Sequence, residues 1–223
     1  MRDLFDAPSV AALAVRAEGG SGRTRPRITS IERPEVVPVS LAQQRMWFIN
    51  QLDKHSAAYN SPLPVRLTGK VDDRALELAL RDVVERHETL RTVYPESADG
   101  PIQVVMSADD VKIDLTPVQV DDESDMQARA AAFAFEGFDV AADIPLRARL
   151  FRINPTEHVL LVVVHHISSD GFSLAPLARD VVVAYTAEQR DWLRTGNRFL
   201  CSTRISLCGS ETYSAMRVTM ARC

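Results

Sequence analysis

Three cysteines are all the chain has, and none lies before Cys201. Cys201, Cys208 and Cys223 are odd in number and lack paired C-x(2–4)-C spacing, so neither a disulfide framework nor a zinc or other metal site is expected. Proline is absent after Pro176. No stretch approaches the ~18 consecutive apolar residues that a bilayer span needs. Met1-Arg2-Asp3-Leu4-Phe5-Asp6 holds no basic segment followed by an apolar run, so no secretory leader is expected and the expected location is cytoplasmic, with no membrane partner. The glycines of Gly19-Gly20-Ser21-Gly22 are not followed by Lys-Ser/Thr at the offset a phosphate loop requires. Basic excess is missing as well: the net charge is −4 at pH 7, which argues against a nucleic-acid partner. What is left is 46% hydrophobic and 25% charged residues in a chain of 223. That is an ordinary globular composition, long enough for one domain with a real core.

The composition changes twice along the chain. Near the front, Gly19 to Arg27 is flexible, basic and Pro-punctuated, and reads as a linker. Before it, Pro8 to Ala14 reads as a short helix. Near Arg190-Asp191 the acids run out: from Trp192 onward there are five arginines and only Glu211. Between these breaks the pattern is α/β. Ser40 is placed to cap a helix over Leu41 to Leu52. Leu63 to Thr68 is a strand. Asp72 or Asp73 caps an amphipathic helix with Leu76, Leu80, Val83 and Val84 on one face. Leu90 to Tyr94 and Ile102 to Met106 flank a hairpin turn. Asp125 to Phe138 is helical. Arg147 to Ile153 and His158 to His165 form a second hairpin across Asn154-Pro155-Thr156-Glu157, and Leu174 to Ala187 is helical again.

Val162-Val163-Val164-His165-His166-Ile167-Ser168-Ser169-Asp170-Gly171 carries the chemistry. A β-branched strand runs straight into two histidines. Consecutive strand side chains point to opposite faces, so one ring should pack and the other should face a cleft. Gly171 permits a tight turn into the next helix. Asp170 can hold an arginine or cap that helix. Imidazole titrates near neutrality, so a cleft-facing histidine can accept a proton from an attacking nucleophile, as acyl transfer to an amine or hydroxyl requires. The bland reading makes both histidines satisfied structural residues at a strand end. A metal reading with His165, His166 and Asp170 is weaker, because the rings diverge.

Three segments together resemble the condensation domains of nonribosomal peptide synthetases. His165-His166-x-x-x-Asp170-Gly171 is similar to the family's H-H-x-x-x-D-G motif. Ser40-Leu41-Ala42-Gln43-Gln44-Arg45-Met46-Trp47-Phe48 is similar to its opening S-x-A-Q-x-R-L/M-W-F motif. Arg86-His87-Glu88-Thr89-Leu90-Arg91-Thr92-Val93-Tyr94 is similar to its second motif, R-H-E-x-L-R-T-x-F. Ala58-Tyr59-Asn60-x-Pro62 resembles the subgroup that joins two L-residues. The resemblance covers about Pro38 to Glu188.

It implies the N-terminal lobe of a chloramphenicol-acetyltransferase-like, two-lobed α/β fold, a mixed sheet flanked by helices, with the active site between the lobes. By the same resemblance, His166 would position or deprotonate the acceptor amine that attacks the donor thioester. His165 would pack and hydrogen-bond nearby. Asp170, with Gly171 beside it, would be structural and held in an ion pair. Arg86, His87 and Arg91 would brace the active-site loop. No cofactor is bound directly. Substrates of the family arrive as aminoacyl thioesters on the phosphopantetheine arms of peptidyl carrier domains, which are the implied partners together with other synthetase modules.

Asp3 to Ala14 resembles the last helix of a peptidyl carrier domain. The expected organisation is therefore a carrier-domain helix remnant over 1–17, a linker over 18–35, the condensation lobe over 36–189 and an aberrant tail over 190–223. The family continues past its H-H-x-x-x-D-G helix with a D-F-x-x-W-Q-type segment and a whole second lobe, and the tail resembles neither. Reading Trp192 to Tyr213 from the third base of each codon, with allowed choices, gives APDWEPLSVQYADFALWQRDVL. The expectation is a frameshift near Arg190 to Trp192. Half a tunnel cannot orient two substrates, so this chain alone should lack condensation activity. A non-catalytic carrier-docking module is the competing expectation. A stand-alone acetyltransferase, completed by a trimeric neighbour, is a third.

Overall fold

The computed structural model describes residues 9–19, 32–194 and 204–207. The chain divides into two units, Met1–Glu35 and Val36–Cys223. In the first, α1 (Val10–Gly19) is a helix, opened by Ser9, whose hydroxyl accepts the Ala12 N–H at 3.2 Å.

The second unit is built on a mixed sheet of five strands. β2 (Asn60–Thr68), β7 (Leu146–Asn154) and β8 (Glu157–His165) are its long members. β6 (Val118–Gln119) runs parallel to β7, and β9 (Arg204–Leu207) pairs with β2, giving the order β6-β7-β8-β2-β9. A smaller sheet joins β1 (Val37–Pro38), β3 (Thr92–Val93) and β4 (Glu96–Ser97) to β5 (Gly100–Val105). Gly100 sits at φ 109°, a conformation that suits glycine, at the turn between β4 and β5. The mixed sheet flanked by helices is as expected.

β8 lies at the centre of the sheet and is buried on both faces, which is why Val159 to Val164 reads as an unbroken apolar run. Alternation then sorts it. Leu160, Val162 and Val164 face the helices α3 (Asp73–Arg86) and α5 (Leu174–Arg194), meeting Leu76, Leu80, Val83, Leu177, Val181 and Tyr185. Val159, Leu161 and Val163 face the other way, toward Phe133 and Met126 of α4 (Glu123–Phe135), and toward Phe138 and Tyr94. Asp72 caps α3, accepting the Ala75 N–H at 2.9 Å.

Several elements differ from expectation for identifiable reasons. β2 begins at Asn60 despite Pro62 and Pro64. The His166 N–H donates to the Tyr59 carbonyl at 2.8 Å, which sets the alternation so that even-numbered β2 residues turn their amides away from β8. Both prolines thus sit where no bond to β8 is lost, on the stretch of β2 before its pairing with β9 begins at Val65. Residues 88–91 form a 3-10 turn, so the strand after it shrinks to Thr92–Val93. α5 runs on through Arg190 to Arg194, across the composition break. Among the described residues no helix is long and apolar enough to cross a membrane.

Candidate functional site

The site is the turn that follows β8. His165 is the strand's last residue and continues its odd-numbered face, so its ring enters the aromatic side of the core. It is 1% exposed. Phe138 packs edge-on against it at 5.9 Å between centroids and Tyr59 tilts against it at 6.1 Å. The Ile167 N–H donates to His165 Nδ1 at 3.1 Å. An atom that accepts carries no proton, so the neutral ring is protonated at Nε2. Burial, and then the nearby His166 charge, push its pKa down to about 4.

His166 lies one residue past the strand and is exposed. Its Nδ1 is 3.0 Å from the Ser169 carbonyl oxygen. A carbonyl only accepts, so Nδ1 carries the proton in the neutral ring and Nε2 keeps its lone pair. The turn is held from both sides. The His166 N–H donates to the Tyr59 carbonyl at 2.8 Å, and the Ser168 N–H to the His165 carbonyl at 3.1 Å. One ring packs and the other is presented, as the strand alternation requires.

Asp170 does not form an ion pair among the described residues. Its Oδ1 accepts from the Ser173 N–H at 2.9 Å and from the Ser173 hydroxyl at 2.6 Å, and these bonds hold its carboxyl below the usual range. Of the two readings of Asp170, holding an arginine or serving the helix start, the geometry displays the second: the carboxylate ties the turn to the entrance of α5. Gly171 lies in the tight turn that leads into α5, closed by the Ser173 N–H on the Asp170 carbonyl at 3.1 Å. Its φ is not in the left-handed region, and a Cβ there would meet nothing within 4 Å. The turn's backbone therefore does not call for glycine, and the position is open. Phe172, next to it, is 91% exposed.

The charged residues of the second motif make their contacts on α5 and around the 3-10 turn rather than on the histidine turn. His87 Nε2 lies 2.8 Å from Asp180 Oδ2 on α5, and Arg86 reaches the same oxygen at 3.8 Å. Arg91 donates to the carbonyls of Met106 and Glu85.

Sequence reasoning missed the wall behind His165. Segment 134–140 is gripped by side chains from three elements. Asn50, on α2 (Leu41–Leu52), donates to the Phe138 carbonyl at 2.7 Å and accepts the Val140 N–H at 3.2 Å. Asn60 donates to the carbonyls of Ala134 and Glu136. Arg147 donates to Glu136 and Gly137 carbonyls, with its guanidinium 4.2 Å from the Phe138 ring centroid. At Gly137 a Cβ would overlap the Lys54 carbonyl, so only glycine admits this approach. The one signal available was a polar residue, Asn50, inside an otherwise amphipathic helix.

Comparison with known proteins follows the same residues. Residues 34–197 match the Condensation domain family. A probable nonribosomal peptide synthetase of Salinispora arenicola is 47% identical over 184 residues, covering 82% of this chain and 2% of that protein. A dimodular nonribosomal peptide synthase of Bacillus subtilis is 44% identical over 186 residues, covering 82% of this chain and 8% of that protein. The chain thus spans a small part of the curated relatives it matches. The X-domain from teicoplanin biosynthesis, solved in complex with OxyB, is 36% identical with a TM-score of 0.70, covering 80% of this chain and 38% of that one. The starter condensation domain of rhizomide synthetase shares the fold at 24% identity and a TM-score of 0.63, over 74% of this chain and 39% of that one. With the match running through all three motifs, the chain belongs to the condensation domain family.

Proposed function

We propose that this chain supplies the His166-bearing lobe of a domain that forms amide bonds between two carrier-bound substrates. The observation that carries the reading is the exposed His166 ring with Nδ1 committed to the Ser169 carbonyl and Nε2 without a hydrogen-bond partner among the described residues. In the proposed step, the acceptor amine attacks the donor thioester carbonyl. A C–N bond forms and the C–S bond breaks. The amine proton passes to His166 Nε2 or to solvent, and the thiolate leaves on its carrier arm and is protonated there. General-base help of this kind is worth roughly 10²–10⁴ in rate.

Peptidyl carrier domains bearing aminoacyl thioesters are the proposed partners, other synthetase modules the proposed neighbours, and the cytoplasm the proposed location. We assign 1–17 to the last helix of a carrier domain, 18–35 to a linker, 36–189 to the lobe and 190–223 to a frameshifted tail. Residues 1–8, 20–31, 195–203 and 208–223 lie outside the described residues. The nucleotide sequence across codons 185 to 223 tests the tail: a one-base shift should restore the D-F-x-x-W-Q segment, and its absence overturns the assignment. Activity is tested by adding a complementary second lobe and two loaded carriers. The lobe alone should give no product. The completed pair should condense, and His166→Ala should cut turnover by about 10²-fold or more. Condensation by the chain alone, or an unaffected His166→Ala pair, overturns the reading.

A docking module is the second reading. Leu41, Phe48 and Leu52 stand exposed along one stripe of α2, a surface suited to a partner. The same variant separates the two, since a docking module keeps carrier binding when His166 is removed.

A further inference from the structure

We infer that Gln43, seconded by Tyr94, is a positioning residue for His166, holding the Ile167 carbonyl and with it the turn that orients the ring. The relevance to chemistry rests on the function proposed above; the geometry does not.

The His166 ring is oriented by a bond from its Nδ1 to the Ser169 carbonyl. The peptide that links those two residues through the turn carries the Ile167 carbonyl, and Ile167 is buried. A buried carbonyl left without a donor is costly, so whatever satisfies it decides how the turn sits. Gln43 Nε2 donates to it at 3.3 Å, and the Tyr94 hydroxyl lies 3.5 Å from it. Gln43 Nε2 also reaches the Tyr94 hydroxyl at 3.3 Å, so the three groups form one small network.

Gln43 is not free to turn away. Its other amide atom, Oε1, accepts the Ser40 N–H at 2.9 Å, while the Ser40 hydroxyl accepts the Gln43 N–H at 3.2 Å. That reciprocal cap at the start of α2 leaves Nε2 as the end that faces Ile167. Tyr94 is equally fixed. It is 0% exposed, its carbonyl accepts from Trp47 Nε1 at 2.7 Å, and its N–H donates to the Val140 carbonyl at 2.8 Å. The helix cap, the end of the second motif and the histidine turn therefore meet at one oxygen atom.

Gln43→Glu separates the two duties of this side chain. A carboxylate still accepts the Ser40 N–H, so the cap survives, but it cannot donate to Ile167. The full 223-residue chain, labelled with ¹⁵N-histidine, reports the His166 tautomer through long-range ¹H–¹⁵N correlations, with His166→Gln used for assignment. In Gln43→Glu we expect the Nδ1–H preference of His166 to fall, and exchange of the Ser168 amide to rise, each by about tenfold, the scale of one lost hydrogen bond. Tyr94→Phe removes only a hydroxyl and should move both readouts the same way by about twofold to threefold. Unchanged tautomer and exchange in Gln43→Glu overturn the inference. Should that variant fail to fold, an unchanged Tyr94→Phe does so instead. Neither readout needs a substrate: a shifted tautomer with no condensation from the completed pair would overturn the proposed function and leave Gln43 as a positioning residue.

Discussion

The last residue of β8 and the first residue of the turn after it are the same amino acid in opposite states. His165 is buried among Tyr59 and Phe138, accepts a hydrogen bond at Nδ1 and is held neutral by burial. His166 is exposed and commits Nδ1 to the Ser169 carbonyl. Their neutral tautomers are opposite. One peptide bond separates a ring that contributes packing from a ring offered to solvent. The comparison teaches that strand alternation chooses which histidine is presented, while the backbone of the turn chooses which nitrogen it presents.

The buried side of this comparison should break hardest. Leu160 and Leu80 belong to one cluster on the aliphatic side of the sheet, both essentially fully buried. Leu80→Ala should cost about 3–4 kcal/mol in chemical denaturation while leaving the His166 tautomer unchanged, because that tautomer is set by the Ser169 carbonyl and not by the aliphatic cluster. A tautomer shift in that variant would mean the two regions are not separable.

Next comes the acid sensitivity of His165. Its folded pKa of about 4 lies below the unfolded value of 6.5. Between those values the unfolded chain binds the extra proton, so stability is complete above about pH 6.5 and declines as pH falls toward 4. The decline should be on the order of 2–3 kcal/mol from this group. His165→Asn keeps an acceptor for the Ile167 N–H and removes the titration, so the slope between pH 6.5 and 4 should flatten in denaturation series. An unchanged slope would assign the acid sensitivity elsewhere.

Asn50→Ala tests the wall behind His165. It deletes a donor to Phe138 and an acceptor for Val140, both buried, and should cost about 2 kcal/mol. The change in stability should come with a change in the Phe138–His165 ring contact, seen as altered His165 ring shifts. The smallest effect belongs to the exposed side. Ser173→Ala removes one donor to Asp170 and should cost less than about 1 kcal/mol, with increased exchange at the start of α5.

Much of this was legible in the chain before any coordinates. The Ser40 cap, the Asp72 cap and the apolar face of α3 are local signals, set by neighbours three or four residues away. The β7–β8 hairpin followed from two apolar runs around a four-residue turn. The site turn announced itself as a buried strand ending in polar residues. What escaped was non-local. The helix expected to reach Phe138 stops at Phe135, because Asn50 draws the Phe138 carbonyl and Gly137 is pressed against residues 54–55. The strand expected from Leu63 begins at Asn60, because the pairing with β8 turns the Pro62 and Pro64 positions away from that neighbour. Arg147, named in the sequence only as the start of a strand, stacks on Phe138 and loses part of its basicity to burial.

Residue spacing by itself determined that one histidine would be packed and its neighbour presented, since that follows from the two-residue period of a strand. Only the tertiary structure decided the proton positions. Those depend on which atoms arrive from elsewhere: an Ile167 N–H at one ring, a Ser169 carbonyl at the other, and a Gln43 amide holding the peptide between them.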